Sequence, residues 1–97
     1  MIYATCKITL YKDKGRKTPF TSGYRPLFKF PNKSSFTSGK IELTGRTRFN
    51  PGDTDLVTVW FLEHLINVDI LKAGTKFTFS EGPILIGEGE VLEIRKE

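Results

Sequence analysis

One cysteine and one histidine in 97 residues leave little for covalent or metal chemistry. Cys6 has no second thiol with which to form an internal disulfide or a CxxC metal site. Cys6 and His64 together fall short of the ligand set of a structural zinc. They would act as a nucleophile pair only if folding happened to bring them together. Glu63 beside His64 is not a ready dyad, because sequence neighbours on a strand point to opposite faces. The expected role of Cys6 is a small buried apolar residue rather than a reactive thiol. Long apolar runs are also missing. Met1 to Leu10 alternates apolar residues with charged and hydroxyl groups, which excludes a signal peptide or a membrane span and makes the cytoplasm the expected location. Gly87-Glu88-Gly89 has neither a following helix nor a P-loop lysine, so it cannot cradle phosphates; close packing is the expected cause of its glycines. These absences point away from an enzyme and predict no cofactor, no metal and no bound nucleotide.

What is present is β-structure, in one domain spanning residues 1–97 with 38% apolar and 12% aromatic residues. Ile2, Ala4, Cys6, Ile8 and Leu10 share one parity, and Tyr3, Thr5, Lys7, Thr9 and Tyr11 the other. That period of two predicts a half-buried strand with its tyrosines and threonines outward. Lys12 to Gly23 reads as a long structured loop, Tyr24 to Phe30 as a strand closed by Pro31, and Phe36 to Leu43 as a third strand. Within that third strand, Gly39 marks a bulge or a close backbone approach. Thr44 to Asn50 is basic and expected to curl before the Pro51-Gly52 turn. Leu56 to Leu62 is the strongest strand signal, followed by Lys76 to Ser80 and Ile84 to Arg95. Leu62 to Leu71 has β-branched residues and no caps, so it reads as strand and loop rather than helix. About six strands separated by turn signals predict a small closed antiparallel barrel.

The formal charge of +4 is unevenly placed: residues 1–48 carry +9 and residues 49–97 carry −5. Two outcomes are open. The first half could form a basic surface for phosphates or an acidic partner, or barrel closure could interleave the halves into a mixed exterior. Lys12, Lys14, Arg16, Lys17, Arg25, Lys29 and Lys33 alternate with Tyr11, Phe20, Tyr24 and Phe28, a pattern that suits a nucleic-acid backbone with occasional stacking.

Gly15-Arg16-Lys17-Thr18-Pro19-Phe20, Gly23-Tyr24-Arg25-Pro26-Leu27-Phe28, Asn50-Pro51-Gly52-Asp53, Ser38-Gly39-Lys40-Ile41-Glu42-Leu43 and Ile86-Gly87-Glu88-Gly89-Glu90-Val91 occur in this order along the whole chain. Together they resemble the C-terminal β-barrel, domain 3, of bacterial elongation factor Tu. The resemblance implies a Greek-key barrel and a translation-factor module standing alone, with neither a GTPase domain nor a second barrel. It places Arg16 where the family has a tRNA-facing arginine, and Gly82 at one of two glycines of an RNA-side turn. The family turn resembles Glu-Gly-Gly-Arg-Thr-Val-Gly, whereas this chain reads Glu81-Gly82-Pro83-Ile84-Leu85-Ile86-Gly87. A cation and an N–H are lost there, which argues against full retention of tRNA binding. Arg16, Lys17, Tyr24, Arg25, Lys29 and Gly82 are the candidate nucleic-acid-binding residues. Arg25 could instead be structural, paired with an acid on a neighbouring strand, and Arg16 has the same two readings.

The opposite clue is Trp60. If Val57, Val59 and Phe61 face the core, then Thr58, Trp60 and Leu62 face outward, with Trp60 where the family carries a charged residue. Trp60 and Leu62 are therefore the candidate protein-interface residues. The competing outcome is that the Leu65 to Leu71 loop folds over them. The leading expectation is a non-catalytic binding module that docks a protein partner, as a factor mimic or as an antitoxin or immunity-like protein against a toxin of the translation machinery. The alternative is an RNA- or tRNA-binding accessory protein using the basic loop 12–33.

Overall fold

A computed structural model describes residues 2–31, 35–61 and 71–96. Six strands close into an antiparallel barrel: β1 (Ile2–Leu10), β2 (Leu27–Lys29), β3 (Thr37–Leu43), β4 (Thr54–Phe61), β5 (Lys76–Glu81) and β6 (Ile84–Lys96). Around the barrel the order is β1-β4-β3-β2-β5-β6. β1 lies beside β4 rather than its sequence neighbour β2, which is a Greek-key connection. Closure leaves no sheet edge to template aggregation.

The period-two pattern of β1 is realised. Ile2, Ala4, Cys6, Ile8 and Leu10 are all buried, and Val57, Val59 and Phe61 face them from β4. Phe28 sits at the centre of the core, edge-on to Phe61 at 5.3 Å and to Phe77 at 5.6 Å. Such rings contribute area burial together with about 0.5–1.5 kcal/mol per aromatic pair. The glycines of β6 are packing residues. A Cβ added at Gly87 would lie 2.3 Å from Phe79 Cζ and 2.5 Å from the Thr9 carbonyl oxygen. At Gly89 it would lie 2.7 Å from both Ile8 Cγ2 and Phe77 Cζ. Gly39 is likewise a close approach and not a bulge, with Phe61 and Phe28 ring atoms within 3 Å of the Cβ it lacks. The register shifts lie on β6, where Leu92 is the extra residue opposite Thr5 and Cys6 and Ile86 the extra residue opposite Phe79 and Ser80.

Boundaries differ from expectation by more than one residue in two strands. The strand predicted from Tyr24 contracts to Leu27–Lys29, because Pro26 has no N–H to give a ladder; Tyr24 keeps only an isolated bridge to Ile41. β4 begins two residues early, at Thr54. Leu62, His64, Lys33 and the 65–70 part of the predicted covering loop lie outside the described residues. No helix among the described residues is long and apolar enough to cross a membrane.

Candidate functional site

Three segments meet at one end of the barrel: the β1–β2 loop (11–26), the β3–β4 loop (44–53) and the tip of the β5–β6 hairpin (82–83). Gly15, at φ +83°, presses the first of these onto β6, where a Cβ would lie 2.7 Å from the Leu85 carbonyl oxygen. That placement aims Arg16 inward. Its Nε donates to the Thr18 carbonyl at 2.9 Å, Nη2 to the Pro19 carbonyl at 3.1 Å, and Nη1 to both Glu81 carboxylate oxygens at 3.1 Å. The guanidinium also lies over the Tyr24 ring, 4.9 Å from its centroid. The Tyr24 hydroxyl is buried with no hydrogen-bond partner among the described residues, and burial, then the charge of Glu81, raises its pKa.

Arg46 repeats the arrangement in the β3–β4 loop. Its Nε donates to the Arg48 carbonyl at 2.8 Å, Nη1 to Asp55 at 3.1 Å and Nη2 to Asp53, while the guanidinium covers Phe49. Asp53 also accepts the Asn50 N–H at 2.9 Å, and that bond, followed by Arg46, lowers its pKa. The two loops are joined where Phe20 and Phe49 stack at 5.3 Å and exchange backbone hydrogen bonds. Both arginines are therefore clamps holding loops to the barrel. The sequence reading singled out Arg16 and missed Arg46. The usable signal was an arginine three or four residues before a phenylalanine in both loops.

The remaining candidates divide. Of the two arginines left with a structural reading, Arg16 pairs with an acid; Arg25 is exposed and makes no ion pair with a described residue. Lys17 is exposed beside the clamp. Lys29 sits outside on β2, opposite Thr78 and away from that loop end. Gly82, at φ +56° with open space around it, serves the turn conformation. The two halves of the chain interleave as strands, so Lys7 stands between Leu56 and Glu90. The loops nevertheless stay basic. Residues 11–26, 44–53 and 81–84 hold seven Lys/Arg against three acids, a net +4 equal to that of the whole chain.

The second surface is the outer face of β3-β4-β1-β6. Cross-strand register aligns Lys40, Trp60, Tyr3 and Arg95 in one row. Trp60 is half-buried and packs on Tyr3 with ring centroids 4.6 Å apart. The flanking cations are neutralised by the adjacent row: Lys40 pairs with Glu42 at 3.2 Å and Arg95 with Glu93 at 3.0 Å. The next row continues with Glu42, Thr58, Thr5 and Glu93, and exposed Leu92 lies beside it. Parity placed Trp60 outside, but its pairing with Tyr3 depends on register, which no local pattern encodes.

Two nucleophilic groups among the described residues are tied up. Burial pushes the Cys6 thiol up to about 12, so it stays protonated at neutral pH. Tyr11 donates to Glu88 at 2.8 Å, and burial together with that bond pushes it up to about 12. Among the described residues no three His, Cys, Asp or Glu side chains converge as a metal site. No family model matches the chain.

Proposed function

We propose that this chain is a non-catalytic binding module, similar to the third domain of elongation factor Tu, that docks a protein partner through Tyr3 and Trp60. The observation that carries the proposal is the stacked aromatic pair on the outer wall, rimmed by two internally neutralised ion pairs. An aromatic centre with a polar, charge-balanced rim is the anatomy of a protein interface. Phosphates would gain little from cations already paired to carboxylates. Tryptophan anchors of this kind cost about 2 kcal/mol or more of binding when truncated. The resemblance to a translation-factor barrel makes the translation machinery, or a toxin acting on it, the class of partner. The competing proposal, RNA on the basic loop, keeps Lys17 and Arg25 but loses Arg16 to the loop clamp and gains an apolar turn.

The test is a photo-crosslinking amino acid placed at Lys40, beside Trp60, compared with one at Thr9 on the same wall, in cells that express the chain. A discrete protein adduct from position 40, absent from position 9 and abolished by Trp60→Ala, supports the proposal. Adducts that ignore Trp60, or no protein adduct, would sink it.

A further inference from the structure

The loop end carries a feature the proposed protein interface does not use. At the tip of the β5–β6 hairpin, Gly82, Pro83, Ile84 and Leu85 are all exposed, Ile84 by 55% and Leu85 by 39%. A hairpin tip in water ordinarily carries polar turn residues. Alongside runs the β1–β2 loop, fixed there by the Gly15 contact with Leu85, the Tyr11 N–H to Ile86 carbonyl bond of 2.9 Å, and the Arg16–Glu81 pair. That loop presents Lys12, Lys14 and Lys17 to solvent, with Asp13 as its one acid. Lys14 is held over the Tyr11 ring at 4.7 Å; Lys12 and Lys17 form no ion pair with a described residue.

We infer that this end of the barrel is an interfacial anchor for an anionic lipid surface, with Ile84 and Leu85 entering the headgroup boundary and the three lysines meeting lipid phosphates and carboxylates. Two observations together select this ligand. Exposed cations beside the tip reward negative charge, and two exposed branched aliphatic side chains on the tip reward an apolar medium next to that charge. A lipid headgroup layer offers both side by side. A nucleic-acid backbone offers the charge alone. The clamps of Arg16 and Arg46 hold the loops in place, so binding would not have to order them first. The surface is separate from the Tyr3–Trp60 wall, so the two proposals stand or fall independently.

Sedimentation with vesicles of phosphatidylcholine, with or without about 30% phosphatidylserine, tests this. Binding is expected only to the anionic vesicles, and weaker as salt rises. The variant Lys14→Ala/Lys17→Ala should lose about fivefold in affinity for each lysine removed. Ile84→Ser/Leu85→Ser, which keeps every charge, should lose about tenfold or more. Trp60→Ala should bind vesicles as the wild type does, whether or not it has lost its protein partner. The inference is overturned if anionic vesicles fail to bind at low salt. It is also overturned if the Ile84/Leu85 variant binds them normally, or if polyuridylate competes fully and binds that variant unchanged, since the end would then be a plain phosphate site.

Discussion

Replacing Arg16 by lysine keeps the charge and removes the fork, so it separates a loop clamp from a phosphate contact. The guanidinium reaches two backbone carbonyls and both oxygens of Glu81 at once. A lysine ammonium has no planar array of donors and could retain Glu81 or one carbonyl, leaving the others unsatisfied. Three lost hydrogen bonds at ~0.5–1.5 kcal/mol each give ~1.5–4.5 kcal/mol. Partial exposure of the pair, 22% for Arg16 and 40% for Glu81, screens its ionic share and brings the expectation to about 2 kcal/mol. For a domain of this size that lowers Tm by about 8–16 °C. Thermal melts followed by circular dichroism are the assay, with Lys17→Ala as the exposed neighbour expected to stay within ~0.5 kcal/mol of wild type. Hydrogen exchange should show the loss of protection concentrated in residues 15–20. If Arg16→Lys melts within ~2 °C of wild type, the clamp carries no stability and the reasoning fails.

Other expectations follow from the same packing. Gly87→Ala should cost about 3 kcal/mol, the upper end of overpacking, because its Cβ would strike the Thr9 backbone as well as the Phe79 ring; an unchanged melt would contradict that contact. Asp53 and Asp55 are held below the ordinary carboxylate range, first by backbone N–H groups of Asn50 and Leu56 and then by Arg46. Their folded-state pKa values are depressed, so the stability they contribute is present above the unfolded value and lost as pH falls through the folded one. Melts should therefore weaken below about pH 4, and less steeply in Asp53→Asn; a variant with the wild-type acid slope would remove Asp53 from the account. Cys6 should stay unreactive toward a thiol reagent until the barrel unfolds, and prompt labelling of the native protein would show it accessible.

How far the sequence could be read depended on whether a feature was local. Alternation placed β1 and β4 with the correct faces inward, because side-chain parity is a property of the strand itself. The glycines of β6 were correctly assigned to packing, since no helix followed them. Arg16 was harder. Its sequence surroundings fit both RNA and structure, and the deciding partner, Glu81, is 65 residues away. The same distance problem left Arg25 with two readings, and it hid Arg46, whose partners Asp53 and Asp55 sit across a turn. The charge split left a basic surface and a mixed exterior both open; the halves interleave as strands, and the net positive charge gathers at one end of the barrel. Strand order decides that, and composition does not record it. Leu62 was paired with Trp60 by parity and lies outside the described residues.

The chain has one tryptophan, so its emission reports the Tyr3–Trp60 wall and nothing else. The direct measurement is acrylamide quenching of that emission in the free protein and after addition of the protein captured through position 40. Free Trp60 should emit to the red and be quenched readily, then shift to the blue and become shielded as the complex forms. Emission that is already blue and shielded in the free monomer, or that ignores the partner at saturation, would contradict the claim that this wall is the docking surface.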